Sequence, residues 1–379
     1  MLARAIPWYL WCALLSSASV AIGTHWDIAW HRSIGRDTFW SPPHMLIYAA
    51  ALLAALAAGS QILRATFGRE AGTESDSSAT VRVLGFRGPL GAFIAAWGGI
   101  TMLTSAPFDD WWHNAYGLDV KILSPPHIVL AIGIGAIHLG ALIFVLGHMN
   151  RLEGRARRLL TVAFLFVGGM LLIAVTMLFM ERTVRPFMHG PAFYRIIAAI
   201  IPLNLAAVGR GSGHRWGATI AAAFYSALLL AMLWLMPLVP AEAKLGPVTV
   251  PVKSLVPPEF PLLFIVPAIA LDLFWARARD WTRGRLAVAS GILFVALFFV
   301  VQWPFATFLM SPAARNYFFG AIYFDYWTPP QSFYWRYLFL PHPTGPGAFA
   351  IGAATAMGIA VVGSWLGLVW GNWMRRIHR

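Results

Sequence analysis

The chain has 379 residues, of which 59% are hydrophobic and 11% are charged, and its net charge is +13. This composition lies outside the range of soluble globular proteins and indicates an integral membrane protein. No soluble basic domain carries the positive charge, which argues against a nucleic-acid partner. The single cysteine, Cys12, excludes an intramolecular disulfide and a cysteine-rich metal cluster.

Ten apolar runs are each long enough to cross about 30 Å of hydrocarbon, so the sequence predicts an all-α, polytopic membrane protein with ten transmembrane helices. The first run follows Arg4 and could instead be a cleaved signal peptide. A retained helix is favoured because the topology below needs it. In chain order the runs are 5–24, 43–62, 86–106, 127–148, 159–180, 191–208, 217–239, 259–276, 286–309 and 347–371.

The distribution of basic residues predicts the orientation of these helices. Only ten of the 28 lysines and arginines fall in the connections that follow odd-numbered runs, or in the first five residues after such a connection, where they lie among nine acidic residues. Cytoplasmic segments carry an excess of lysine and arginine. We therefore expect both termini to be cytoplasmic, the odd-to-even connections to face outward, and the protein to lie in the lipid bilayer of the inner (cytoplasmic) membrane as a multi-pass protein.

Two outward connections carry the same arrangement of one carboxylate and two imidazoles. The first copy is DIAWHRSIGRDTFWSPPH and the second is DDWWHNAYGLDVKILSPPH. The carboxylate precedes the first histidine by four residues, which on a helix places both on one face. Ser-Pro-Pro precedes the second histidine. The matching residues are Asp27, His31 and His44 in the first copy and Asp109, His113 and His127 in the second.

Three converging oxygen and nitrogen ligands, with room for an exogenous one, describe an open metal site. The alternative is that each residue only forms hydrogen bonds at the membrane interface. Six matched positions in two copies favour the interpretation that these residues are metal ligands. Aromatic residues flank both motifs, as at any membrane interface, and beside a metal they would wall a dry pocket. The sequence assigns no residue a catalytic role.

Four further residues are candidates for supporting the two sites. Asp37 and Asp119 either orient a ligand histidine or bond the backbone of their own turn. His25 is either an auxiliary ligand or a hydrated residue at the rim. His138 follows His127 by eleven residues, about 16 Å deeper along one helix. A proton relay is one interpretation of it, and a hydrogen bond to the carbonyl of a neighbouring helix is the favoured one.

A Pro-Pro pair comes just before, or at the start of, four of the even-numbered runs. Besides the two motifs, the pairs are Val256-Pro257-Pro258-Glu259 and Thr328-Pro329-Pro330-Gln331. The repetition predicts five related helical hairpins. The alternative is that proline merely begins helices, because the N–H it lacks would be unpaired there anyway.

The segments DIAWHRSIGRDTFWSPPHMLIY and DDWWHNAYGLDVKILSPPHIVL resemble the two metal-binding segments of the C subunit of the copper membrane monooxygenases, the particulate methane and ammonia monooxygenase family. The likeness lies in the carboxylate or amide, the histidine four residues later, the RDT run of the first copy and the histidine after proline. RWGATIAAAF, FPLLFIVPAIALDLFW and VVQWPFATFLMSP resemble, less closely, helices of the A subunit. The resemblance implies a C-subunit-like membrane half, 1–150, and an A-subunit-like membrane half, 151–379.

The resemblance also implies copper in both sites and hydroxylation of a small apolar or lipid-soluble substrate by O2. Zinc and iron remain alternatives. The chain departs from the family at Asp109, where an amide is usual, and the carboxylate makes that site more anionic. No cupredoxin-like domain of the B-subunit kind is found in the sequence, so either a separate cupredoxin-like subunit supplies it or the protein works without one.

Two classes of function fit these observations. The first is a copper-dependent monooxygenase, an oxidoreductase whose electrons come from a membrane quinol or a periplasmic redox protein, because flavin, haem and nicotinamide motifs are lacking. The second is a non-catalytic copper protein for storage, delivery or uptake. Histidine and aspartate ligands suit Cu(II) better than the methionine and cysteine clusters that handle Cu(I), which favours the enzyme. The substrate and the number of chains, a homo-oligomer included, stay open.

Overall fold

The computed structural model describes residues 6–35, 38–68, 80–117, 124–242, 244, 252–321 and 338–377. Ten helices of 13 residues or more account for most of them. They are α1 (Trp8–Ser33), α2 (Pro42–Phe67), α3 (Leu90–Tyr116), α4 (Pro125–Met149), α5 (Gly154–Met177), α6 (Pro191–Ser212), α7 (Gly217–Leu235), α8 (Ile265–Arg277), α9 (Arg283–Leu309) and α10 (Pro346–Met374). Short helical turns lie at Met180–Thr183, Arg185–Phe187, Met236–Leu238 and Pro312–Ala314.

Eight of the ten helices, all except α1 and α8, are long and apolar enough to cross a membrane. The prediction of an all-α, polytopic membrane protein is therefore confirmed. The number of crossings and the side on which the termini lie stay predictions.

The predicted run 259–276 is helical only in its second part. α8 has 13 residues, about 20 Å, because prolines in the preceding segment lack the N–H that a helix needs. Side chains of other helices satisfy this non-helical backbone. The Leu262 N–H donates to the Tyr225 hydroxyl (3.3 Å) and the Leu263 N–H donates to Gln302 Oε1 (3.1 Å). Irregular backbone at membrane depth is tolerated when it is buried in protein in this way.

A small β-hairpin was not predicted from the sequence. Strands β1 (Val81–Val83) and β2 (Phe86–Gly88) pair antiparallel. The two residues between them, Leu84 and Gly85, have φ angles of 50° and 86°, the left-handed values that a two-residue hairpin turn requires. The Arg87 N–H donates to Thr66 Oγ1 (2.9 Å), which fastens the hairpin to the end of α2.

The chain divides into two compact units. The first comprises Met1–Thr24, Thr38–Ala174 and Asn372–Arg379, and the second comprises His25–Asp37 and Val175–Gly371. The first unit therefore contains α2 to α4 and most of α1 and α5, and the second contains α6 to α9 and most of α10. The division at 150 that the family resemblance implies is a separate matter and stays a prediction.

Within the first unit, α3 and α4 form a closely packed hairpin whose backbones touch. A Cβ added to Gly98 would lie 2.7 Å from the Ile137 nitrogen, and one added to Gly133 would lie 2.9 Å from the Gly98 oxygen. Small residues allow this approach, which supplies much of the attraction between helices in lipid. The packing fixes the end of α3 beside the start of α4, where the second motif lies.

Candidate metal centre

The second motif begins on the last two turns of α3. Asp109 and His113 lie four residues apart and therefore share one face of the helix. The helix ends at Tyr116, because Gly117 has a φ of 96° and its N–H bonds back to the His113 carbonyl. This left-handed position suits glycine, which has no Cβ to clash.

The remaining histidine of the motif comes from the start of α4. Ser124 is extended, with φ −74° and ψ 158°, and the two prolines occupy the first two positions of the helix. His127 is the third helical residue. The absent proline N–H groups cost nothing there, so the Ser-Pro-Pro-His sequence fixes where the helix begins and thereby where His127 lies.

The Asp109 carboxylate lies between the two imidazoles. Its Oδ2 is 3.5 Å from His113 Nε2 and its Oδ1 is 3.4 Å from His127 Nε2. One ligand atom from each residue lies within 4.8 Å of the other two. The side chains are 23% (Asp109), 19% (His113) and 31% (His127) exposed, so the cluster is anchored in the protein yet accessible to an exogenous ligand.

The distances of 3.4 and 3.5 Å are compatible with ligand atoms that share a cation. A charge-assisted N–H···O bond between imidazolium and carboxylate is about 2.7–2.9 Å long. Ligand atoms that each lie about 2.1 Å from one metal ion are separated from one another by about 3.0–3.5 Å. In the described part of the chain no other group of three His, Cys, Asp or Glu residues comes this close together. The second predicted triad is thus brought together by the structure.

Aromatic side chains lie around Asp109 and His113 along α3. Trp112 and Tyr116 have ring centroids 4.4 Å apart, and Phe108 stacks on Trp111 at 6.0 Å. Trp111 is 54% exposed and Tyr116 is 67% exposed. Such rings are typical of a membrane interface, and Trp112 and Tyr116 lie one and three residues from His113 on the same helix.

The first motif has the same local arrangement. Asp27 Oδ2 is 3.9 Å from His31 Nε2 on α1, and His44 is the third residue of α2 after Ser41-Pro42-Pro43. Asp27 and His31 belong to the second compact unit, whereas His44 belongs to the first. The convergence of the three residues on one metal stays a prediction.

The four supporting candidates are placed as follows. Asp37 and Asp119 lie outside the described residues. His25 lines a cavity of about 90 Å³ in the second unit. His138 is fully buried, and its Nδ1 donates to the Ile134 carbonyl at 2.8 Å. The hydrogen bond at this distance is to a carbonyl of its own helix, and the backbone of Ser17 on α1 also acts on the imidazole as a hydrogen-bond partner.

A second polar centre, in the second unit, was missed by the sequence analysis. Arg185 Nε lies 3.4 Å from Glu259 Oε1, and the Arg185 N–H donates to Glu259 Oε2 at 3.2 Å. The residues are 74 positions apart, so no local spacing connects them. The available signal was an acidic residue directly after Pro257-Pro258, at the edge of an apolar run.

Comparisons with protein families, with curated proteins and with solved structures found no match to this chain.

Proposed function

We propose that Asp109, His113 and His127 bind a copper ion and that the protein is a copper-dependent, monooxygenase-like membrane enzyme. The observation that supports this proposal is the open cluster of one carboxylate and two imidazoles. Imidazole and carboxylate ligands suit Cu, Zn and Fe, and Cu(II) binds such sites most tightly among the divalent first-row ions. The motif resemblance favours copper for the same residues.

Bound copper would supply the redox chemistry by which O2 hydroxylates a small apolar substrate. The overall reaction R–H + O2 + quinol → R–OH + H2O + quinone balances with a membrane quinol as the donor of two electrons and two protons. Asp109 holds its two oxygens toward the two Nε2 atoms, and its negative charge stabilises the oxidised ion. The rings of Trp112 and Tyr116 offer an apolar surface on which a hydrocarbon can lie beside the triad.

We infer that all ten helices cross the inner membrane, with both termini cytoplasmic and the triad outward. α8 is too short alone, but the segment 259–264 is non-helical and precedes it directly. The five residues 259–263, at up to about 3.3 Å each, and 13 helical residues at about 1.5 Å each reach at most about 36 Å, enough for the hydrocarbon core.

The first motif is proposed as a second copper site, held by Asp27, His31 and His44. A separate cupredoxin-like subunit and a quinol or periplasmic redox protein are the proposed partners, because the sequence contains no redox cofactor motif of its own.

Copper storage, delivery or uptake is the second candidate function. The exposure of the triad supports it, because an ion at a site whose His127 side chain is 31% exposed can exchange with a carrier. The enzyme is preferred, since a site for holding an ion is more commonly closed by a fourth protein ligand.

Oxygen consumption separates the two functions. Copper-loaded protein in native lipid, given a quinol, should consume O2, and consumption should rise or couple to product when a small hydrocarbon or ammonia is added. His113→Ala should abolish the activity, while Asp110→Asn, on a neighbouring exposed residue, should keep it. Protein that stays inert to O2 with every donor and substrate, yet passes copper to a chaperone, would establish the handling function instead.

A further inference from the structure

The cavity that His25 lines is also lined by three methionines from one short stretch of chain. They are Met177, Met180 and Met188, which lie between the end of α5 and the start of α6. The whole wall of the cavity belongs to the second unit, and its volume is about 90 Å³. Three of the 13 methionines of the chain therefore line one small space.

The local backbone places two of these methionines on one side. α5 ends at Met177, and the Phe179 N–H then donates to the Thr176 carbonyl (3.2 Å) in a turn that leads into the short helix beginning at Met180. Because the chain stays close to helical here, residues three apart are neighbours on one face. Met177 and Met180 therefore line the cavity together.

The third thioether is held in place by hydrogen bonds. Met188 is 1% exposed, and its Sδ accepts a hydrogen bond from Gln302 Nε2 (3.4 Å). The Gln302 amide is oriented in turn, because its Oε1 accepts from the Leu263 N–H (3.1 Å). A thioether sulfur has a second lone pair, so Met188 can still bind a metal ion. Partners of this kind fix the direction of a ligand before the metal arrives.

Methionine also fills irregular gaps in apolar cores, which is the alternative interpretation of this cluster. Two observations favour ligands. The space beside the three side chains stays open, whereas side chains that serve only as filling would occupy it. The Met188 sulfur is also oriented by a fully buried amide, that of Gln302, and an apolar filler needs no such partner.

The chemistry of the donors selects the ion. One guanidinium, from Arg32, and one carboxylate, from Glu259, line the cavity, so the charged groups of the wall favour neither sign of charge. Thioether sulfurs are soft, uncharged donors that suit Cu(I), whereas Mg, Ca and Mn prefer oxygen. Zn²⁺ takes thiolate, imidazole and carboxylate ligands. Methionine is flexible enough for the three sulfurs to close on one ion.

We propose that Met177, Met180 and Met188 form a binding site for Cu(I). The site differs from the two carboxylate and imidazole motifs in oxidation state, because thioethers suit Cu(I) and the motifs suit Cu(II). The three methionines follow α5, so in the predicted orientation they lie on the outward side. The site does not rest on the oxygenase function, since an enzyme must acquire its copper and a copper-handling protein must hold it.

NMR of methionine methyl groups tests the proposal. Whole protein labelled with 13C at the methionine methyls, in phosphatidylcholine nanodiscs and without oxygen, is titrated with Cu(I). A parallel titration uses Ag(I), a soft ion of the same charge that keeps its oxidation state. We expect both ions to shift the methyl signals of Met177, Met180 and Met188, and Zn²⁺ to leave these three signals unchanged.

Leucine variants assign the sulfurs, because leucine removes the sulfur and nearly keeps the volume. Met180→Leu and Met188→Leu should each weaken Cu(I) by about tenfold or more against a chelator of known strength, as one of three soft ligands is lost. Met170→Leu is the matched control. Met170 is buried on the same helix as Met177 and lies outside the cavity, so this variant should bind Cu(I) as the wild type does.

The melting temperature in lipid is measured for every variant, so that binding is compared only among folded proteins. Unshifted methyl signals of the three methionines with both Cu(I) and Ag(I) would overturn the proposal. So would wild-type Cu(I) affinity in folded Met188→Leu, or an equal loss of affinity in Met170→Leu. None of these readouts involves oxygen consumption, so failure of this site and failure of the oxygenase function are distinguishable.

Discussion

At the scale of single residues, Asp109 is the group that joins the triad. It shares a helix with His113, while His127 comes from the next helix, and each of its oxygens faces one imidazole nitrogen at 3.4–3.5 Å. An amide at the same place would offer only one neutral oxygen acceptor. The carboxylate therefore sets both the charge of the site and the separation of the two histidines.

Replacing Asp109 by asparagine removes the negative charge of the side chain and keeps its shape. Asp109→Asn is expected to weaken Cu(II) binding at this site by about tenfold or more, because a ligand charge is lost while the side-chain volume is kept. Affinity is measured by competition with a chelator of known strength, on protein that keeps its melting temperature.

Asp110→Asn is the matched control. Asp110 is exposed, and Asn114 Nδ2 donates to its backbone carbonyl at 2.8 Å and to its Oδ2 at 3.4 Å. This variant should bind copper as the wild type does. Equal weakening in both variants would mean that general surface charge, rather than ligation by Asp109, controls binding.

At the scale of elements, the pairing of α3 with α4 positions the triad. Their backbones meet at glycines, and a Cβ on Gly133 would lie 2.9 Å from both the Gly98 oxygen and the Met102 nitrogen. Gly135, two residues further along α4, has no atom within 4 Å of the position a Cβ would take. Gly133 and Gly135 are thus the same residue type on the same helix, but only Gly133 is closely packed.

Gly133→Ala should force the two helices apart and lower both stability and copper affinity, because Asp109 and His127 belong to different helices. The expected loss of stability is about 1–3 kcal/mol, as for overpacking elsewhere. Gly135→Ala should leave copper affinity unchanged and should not lower stability, since alanine favours a helix more than glycine does. Thermal unfolding in lipid and copper titration provide the two readouts, and identical behaviour of the two variants would contradict this account of the hairpin.

Helix positions were largely predictable because apolar runs and Pro-Pro starts are local signals. α2 and α4 begin at their proline pairs, as the sequence predicts. α8 begins later than predicted, because hydropathy does not register that proline breaks the helical hydrogen bonding. The β-hairpin depends on left-handed φ at Leu84 and Gly85, and its strands have only three residues each, too few for an alternating apolar pattern to indicate a strand.

Site residues could be predicted where they share a local motif, but not where they meet through contacts between segments distant in sequence. The i, i+4 spacing predicted that Asp109 and His113 share a helix face, and the repeated Ser-Pro-Pro-His predicted His127 as their partner. Asp272, on α8, is a contrasting case. Its carboxylate accepts hydrogen bonds from the Thr219 N–H (2.8 Å) and hydroxyl (2.7 Å) at the start of α7. Like the pair formed by Arg185 and Glu259, this contact depends on tertiary packing that spacing along the chain does not encode.

At the scale of the whole molecule, the orientation in the membrane decides from which side copper and substrate arrive. The asymmetric distribution of lysine and arginine predicts outward motifs. A reporter fused after Arg155 should therefore read as cytoplasmic, and one inserted after Gly117 should read as periplasmic. The reverse pair of readings would place the triad on the cytoplasmic side and invalidate the periplasmic electron donor.

The central claim, that the triad is a copper site, is tested most directly by metal quantification combined with electron paramagnetic resonance. The wild type and the double variant His113→Ala/His127→Ala are purified in native lipid and loaded with Cu(II). We predict nitrogen coupling from the wild-type protein, and loss of the copper of this triad, with its share of the signal, from the folded double variant, which keeps only the copper bound at the first motif. If the folded double variant keeps the wild-type copper content and an unchanged spectrum, Asp109, His113 and His127 do not hold the metal.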